Sequence, residues 1–293
     1  MKKTVSYAFF CFLLFSTVYL YGQIGDLEEI TLGKIELKYP VVLVHGLARN
    51  DKADDTLSWG RIPLVLREYG VEVYLGNTEA WADTESNAEL LKATIDSVLE
   101  NSQHEKVNII AHSKGGIDSR YLIWKYDYGD RIASLITIST PHGGSEIADF
   151  FSYSGIIRLG PVMRRLQDVS RIFGNQNLDI YSVNQDLTTE KMRDFNEKVT
   201  RDERVFYQSI YSVLNDPKED SIYSLSHAFI KSANGENDGL VSAESASWGD
   251  NPIRIPISIS HRQITDYDGS AFYRINIPGV YLEIVRELGW MGF

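Results

Sequence analysis

The stretch "VNIIAHSKGG" at 107–116 sets Ser113 between an apolar run and two glycines. A helix start, "GGIDSRYLIW", follows at once. A sharp strand-to-helix turn needs small residues two before and two after its central serine, because the backbones nearly collide there. Ala111 and Gly115 fill those places. Such a turn lifts the hydroxyl clear of a sheet and sets it at a helix N-terminus, where developing negative charge is favoured. A serine there can also be an ordinary cap, and "SASWG" at 245–249 fits the same small-x-Ser-x-Gly pattern. That rival has no apolar run before it and no helical pattern after it. Context points to Ser113 as a nucleophile.

A serine hydroxyl attacks poorly until a base takes its proton, and the base needs an orienting carboxylate. On a strand–turn–helix nucleophile the partners follow in the order Ser, acid, His. Of six histidines, His142, His227 and His261 lie after Ser113. His142 in "TPHGGS" lies in a loop just after a strand, and the presumed acid does not come before it. His227 falls in "SHAFIKS", which reads as an apolar strand where a core imidazole fits best. His261 in "SISHRQ" is late and loop-like, with acids upstream, and is the expected base. For the acid, "IKSANGENDGLVS" offers Asp238 at what reads as a strand's end, with Glu236 as the fallback. "NDG" is also good turn chemistry in its own right.

Acyl chemistry further requires two backbone amides aimed at the oxyanion. Lys114, directly after the nucleophile, supplies one. The loop "VHGLARN" after the first strand supplies the other through Leu47, with His45 as a structural residue of that loop.

The elements that must position these residues are visible as alternating patterns. "VVLV" (41–44), "VEVYL" (71–75), "VNIIA" (107–111), "SLITIS" (134–139) and "VFYQSIYSV" (205–213) read as buried strands, as does "SHAFIKS" (226–232). Between the second and third, Ala88, Leu91, Ile95 and Val98 recur at helical spacing, with Ser86 and Glu89 as a capping box. "NIPGVYLEIVRELGW" closes the chain as a helix, with Pro278 near its first turn and Val280, Ile284 and Leu288 on one face. Strand–helix alternation predicts a mostly parallel sheet with helices on both faces.

Together these segments resemble the secreted bacterial triacylglycerol lipases of the α/β-hydrolase superfamily. "YPVVLVHGL" is similar to their oxyanion loop, and "AHSKGGIDSRY" to their nucleophile turn. "ISTPHGGSEIADF" is similar to the segment leading into their lid; "DLTTEKMRDFNEKV", "NDGLVS" and "SISHRQ" follow in the same order. The resemblance implies an α/β-hydrolase fold with a helical lid insertion. It matches Ser113, Asp238 and His261 to the triad, and Leu47 and Lys114 to the oxyanion donors. The chain departs from the family at Ala111, where glycine is commoner, and at Lys114, where only the amide is needed. Several relatives bind a structural calcium through an aspartate two residues after the catalytic histidine. Here that position is Gln263, a poor ligand for a divalent cation, with Asp266 or Asp268 as the nearest substitutes. No cofactor is expected for the chemistry, and a calcium site of the family's kind is not expected.

The 293 residues begin with "MKKTVSYAFFCFLLFSTVYLYGQ", which has the layout of a secretory leader cut after Gly22; as a membrane anchor its apolar stretch is short and interrupted. Residues 23–293 then form one hydrolase domain, exported to the periplasm or beyond. The net charge is −11, and Lys2 and Lys3 lie in the leader, so the remainder is more acidic still. That charge argues against a nucleic-acid partner. The single cysteine, Cys11, is in the leader too, which leaves no disulfide in the exported chain. Residues 150–190 break the alternation with apolar helical pieces and Gly155, Gly160, Pro161 and Gly174, and read as a lid or a fixed cap. Arg158, Arg164, Arg165 and Arg171 make it basic, suited to an anionic lipid–water interface. The substrate class implied is a lipid or other ester. A short-chain carboxylesterase, or a catalytically inactive lipid- or protein-binding relative, are the alternatives. No H-E-x-x-H spacing suggests a metal hydrolase.

Overall fold

A computed structural model describes residues 33–49, 56–154, 180–267 and 275–293. The leader, most of the expected lid and Asp268 lie outside the described residues. Among the described residues, six strands form one sheet: β1 (Val41–Val44), β2 (Val73–Leu75), β3 (Val107–His112), β4 (Ile132–Ile138), β5 (Phe206–Val213) and β6 (Ile253–Ser258). Their order is β2-β1-β3-β4-β5-β6 and every pairing is parallel. A parallel sheet is covered on both faces, so its strands read as unbroken apolar runs. β1 and β3 are buried along their whole length.

Side-chain alternation divides those runs between two cores. Val41, Leu43, Ile110 and Ile136 face a layer built by helices α1 (Ile62–Glu68) and α8 (Ile277–Met291), with Leu66, Val280, Ile284 and Leu288 packed against them. Val42, Val44, Ile109 and Leu135 face α2 (Thr84–Asn101) and α3 (Lys114–Tyr126) on the other side. The helical stripe Ala88, Leu91, Ile95 and Val98 is buried as its spacing predicts. The helix starts earlier than the expected capping box, however. Asp83 is the N-cap and accepts from the Ser86 amide, because an aspartate in extended backbone reaches the first free N–H groups.

"SHAFIKS" is a correction. It is helix α7 (Ser224–Asn234), not a strand. His227 and Ile230 are buried one turn apart while Leu225 and Phe229 are exposed, a 3.6-residue repeat too short to tell from alternation in sequence. Asp238 therefore follows a helix. The chain leaves β5, runs through a 3-10 turn (Pro217–Tyr223) and α7, and returns to the strand's end, where Leu214 N donates to Asn237 O at 2.9 Å. The sixth strand is instead "IRIPIS", with Pro256 inside it; at the sheet edge a missing N–H is tolerated. α4 (Glu146–Ser154), α5 (Ile180–Asp186) and α6 (Thr189–Lys198) lie between β4 and β5. The mostly parallel sheet with helices on both faces is the architecture expected. No helix among the described residues is long and apolar enough to cross a membrane.

Candidate active site

Ser113 stands at the C-terminal end of β3 and caps α3, with φ 54° and ψ −130°. A side chain in that conformation is strained by on the order of 1–3 kcal/mol, and surrounding packing must hold it there. Two glycines make the turn possible. A Cβ on Gly115 would lie 2.5 Å from the carbonyl oxygens of Val44 and His45. A Cβ on Gly46 would lie 2.6 Å from Ser113 Cβ. The Ser113 amide donates to Ile138 O at 3.0 Å, which ties the turn to β4. "SASWG" has no such setting: Ser247 ends a short helical turn, and its hydroxyl donates to Ala243 O.

Three side chains far apart in sequence meet at this point. Ser113 Oγ lies 2.9 Å from His261 Nε2, and His261 Nδ1 lies 2.8 Å from Asp238 Oδ2. All three are buried, Asp238 the most deeply. The second carboxylate oxygen of Asp238 accepts from the amides of Leu240 and Val241 at 3.0 and 2.9 Å. Thus "NDG" is both a turn and a site: Asn237 Oδ1 accepts from Gly239 N while Asp238 turns toward the imidazole. A carboxylate so held fixes the proton on Nδ1 and leaves Nε2 free to accept one. Glu236, the fallback acid, is exposed and pairs with Arg254.

The remaining histidines are placed otherwise. His45 is buried in the loop after β1, with Nε2 3.1 Å from Thr78 O. His227 Nε2 donates to Leu214 O at 2.8 Å, a core role on a helix. His142 stacks on Trp248, and its Nδ1 accepts from Arg120 at 3.0 Å. Burial, then the Arg120 charge, pushes His142 well below the usual imidazole range. Sequence reasoning passed over His112. Its ring lies 4.6 Å from that of His261, and its Nε2 donates to His261 O at 3.0 Å. Burial first, and the neighbouring His261 second, hold His112 neutral, far below the usual range. Adjacency to Ser113 was the available signal.

Leu47 and His112 line a cavity of about 610 Å³ that opens on Ser113 and His261. Its other walls are largely apolar, including Trp81, Phe151, Val183 and Leu187. Lys114 is the first residue of α3, so its amide heads the helix beside the nucleophile. This geometry suits acyl transfer: an activated hydroxyl, a tautomer-fixed base, a helix N-terminus and an apolar chamber.

The residues around His261 do not suit a calcium of the family's kind. Gln263 Oε1 accepts from Ser260 N at 2.9 Å. Both oxygens of Asp266 are taken by the Arg61 guanidinium at 2.8 and 2.9 Å. The local carboxylate is therefore already matched to a cation of the chain itself. Among the described residues, no three His, Cys, Asp or Glu side chains gather as a metal-binding group.

Comparisons with known proteins bear on the family and the fold. The model of the palmitoyl protein thioesterase family matches residues 40–255. The chain is similar to the triacylglycerol lipase of Pseudarthrobacter phenanthrenivorans, 40% identical over 117 residues, covering 39% of this chain and 36% of that protein. Similarity to triacylglycerol lipase 2 of Saccharomyces cerevisiae is weaker but longer, 28% over 288 residues, covering 86% and 83%. The match spans 36% and 32% of the length of two bacterial curated relatives, that lipase and the one from Burkholderia plantarii. Among solved structures, Staphylococcus hyicus lipase superposes with TM-score 0.67 at 17% identity, covering 88% of this chain and 97% of that one. The metagenomic carboxyl esterase MGS0156 does so with TM-score 0.69 at 18%, covering 95% and 91%. Those likenesses establish the α/β-hydrolase fold.

Proposed function

We propose, from the premise that the chain belongs to the palmitoyl protein thioesterase family, that it is an exported serine hydrolase of carboxylic esters, and specifically a triacylglycerol lipase. The observation that carries this reading is the unbroken hydrogen-bonded path from Ser113 through His261 to Asp238, opening into an apolar chamber. The names of the relatives support a lipid ester as substrate.

In this reading Ser113 Oγ attacks the ester carbonyl as its proton passes to His261 Nε2. Asp238 holds the imidazolium through Nδ1–H, and the amides of Leu47 and Lys114 take up the oxyanion charge. Collapse breaks the bond to the alcohol, which leaves with the proton from His261, and an acyl-enzyme remains. Water, deprotonated by His261, then releases the fatty acid and restores the hydroxyl.

The family match favours a second reading, in which the bond cleaved is a thioester and the leaving group a thiol. A short-chain ester is the nearer alternative, and an inactive lipid-binding protein the more distant one. Labelling with a fluorophosphonate, then peptide mass analysis, tests the shared chemistry. An adduct on the peptide holding Ser113, lost in Ser113→Ala, is expected; no adduct would favour the inactive protein. Turnover of triacylglycerols, p-nitrophenyl esters of rising chain length and an acyl thioester of matched chain separates the substrates. Faster thioester cleavage would displace the lipase assignment. N-terminal sequencing of the exported protein tests the cut after Gly22. A jump in rate as substrate droplets form tests a mobile lid over residues 150–190.

A further inference from the structure

Asp220 sits in the turn Pro217–Tyr223, which runs between β5 and the loop of Asp238. Its side chain is buried, and its backbone leaves helical geometry, with φ −146° and ψ 86°, in a segment otherwise wound as a 3-10 turn. In "PKEDSIY" it looks like one more acid on a solvated loop. In the fold it is turned inward onto the residues either side of His261. Ser260 Oγ donates to Asp220 Oδ2 at 2.6 Å. Arg262 Nε donates to the same oxygen at 2.8 Å, and a terminal guanidinium nitrogen donates to Oδ1 at 3.0 Å.

Two arms of one carboxylate thus grip the chain immediately before and immediately after the imidazole. A bidentate guanidinium fixes orientation as well as distance. The same turn reaches the acid as well: a Cβ on Gly239 would lie 2.6 Å from Tyr223 Cβ, so Tyr223 is packed directly on the residue after Asp238. The backbone of His261 is held in addition by its own amide on Asp238 O at 2.9 Å and by His112 on its carbonyl.

We infer that Asp220 is a positioning residue: through Ser260 and Arg262 it sets the imidazole of His261 against Ser113, an internal ion pair serving as the cross-link of the histidine loop. The inference rests on the reading of His261 as the base, and it adds a residue that touches neither substrate nor the reacting atoms.

The test uses the full chain and Asp220→Asn, which keeps the shape and loses the charge. A near-attack geometry disturbed by about 1 Å costs on the order of 10²-fold, so kcat is expected to fall roughly 10- to 100-fold with KM within about twofold. Asp220→Glu, which keeps the charge, is expected to recover part of the loss. Arg262→Gln lowers kcat as well, and combining it with Asp220→Asn adds little, because both remove one interaction. A folded Asp220→Asn with kcat within about twofold of the parent would overturn the inference, and so would strict additivity with Arg262→Gln. If Asp220→Asn does not fold, Ser260→Ala and Arg262→Gln each remove one arm, and unchanged kcat in both overturns it equally. A second readout needs no turnover: the low-field proton resonance of His261 Nδ1–H is expected to shift or broaden in Asp220→Asn. A parent without ester or thioester turnover would sink the proposed function, and that resonance would then decide the clamp alone, an unmoved signal refuting it.

Discussion

Lys114 Nζ lies 2.6 Å from Asp118 Oδ1, one helical turn along α3, with both side chains 1% exposed. The residue expected to matter only through its amide therefore carries a buried ammonium as well. Asp118 Oδ2 also accepts from Asn87 Nδ2 at 3.0 Å, which ties the start of α3 to α2. Burial pushes the Asp118 carboxyl up, and Lys114 pulls against that shift. Removing one partner strands a buried charge, which costs about 3–5 kcal/mol, whereas replacing both with apolar groups of similar volume is often close to neutral. Asp118→Ala is expected to lower the melting temperature sharply, and Lys114→Met with Asp118→Leu to restore most of it. Thermal melts of the three chains check this; a double variant as unstable as the single one would contradict it.

The glycines around Ser113 divide by what an added methyl group meets. At Gly115 it meets the backbone carbonyls of Val44 and His45, which cannot give way without moving β1. At Gly46 it meets Ser113, at 2.6 Å from Cβ and 3.1 Å from Oγ, and the His112 carbonyl oxygen at 3.2 Å. Gly115→Ala is expected to lose stability by about 1–3 kcal/mol, the usual cost of overpacking. Gly46→Ala is expected to lose stability by a similar amount, about 1–3 kcal/mol, because Ser113 Cβ moves only with its backbone. In addition it is expected to lose roughly 10²-fold or more in kcat/KM, since the nucleophile itself is displaced. Paired melts and ester kinetics check both, and a Gly46→Ala variant that melts and turns over like the parent would show the crowding to be misjudged.

What the sequence disclosed followed from burial. β1 and β3 are covered on both faces, so "VVLV" and "VNIIA" stand out as continuous apolar runs, and Ser113 was legible from the small residues its turn demands. His261 and Asp238 followed from chain order once Ser113 was placed. Local pattern failed where two periods overlap, as in "SHAFIKS", and where an edge strand carries Pro256. It failed entirely for Asp220, whose importance comes from contacts with residues 40 and 42 positions away. No local spacing encodes such a contact.

Arg61 and Asp266 bear on metal dependence. Besides its two guanidinium contacts, Arg61 donates its backbone amide to Asp266 Oδ2 at 2.9 Å, and Gly60, at φ +50°, is packed against the Asp266 carbonyl. Asp266 is fully buried, so its charge is matched from within the chain rather than by water. A chelator is therefore expected to leave the melting temperature within about a degree or two. Arg61→Met should lower it by several degrees, since a buried carboxylate loses its partner. Parallel melts with and without chelator check the pair; a large drop in chelator would restore a structural calcium.

Glu287 on α8 gives a pH dependence with a definite sign. Burial first, and the charge of Glu283 second, push its carboxyl up to about 7, against the opposing pull of Arg286. A carboxyl raised in the folded state favours folding only while it is protonated. Its contribution is complete below the unfolded value near 4.5 and is lost as pH rises through about 7. Glu287→Gln removes that loss while keeping the shape. The variant and the parent are expected to melt together near pH 4, and the variant to melt a few degrees higher at pH 8. Melts across that range check the sign. A variant that is less stable than the parent at pH 8 would mean that Glu287 is held as a favourable anion, with Arg286 outweighing both burial and Glu283.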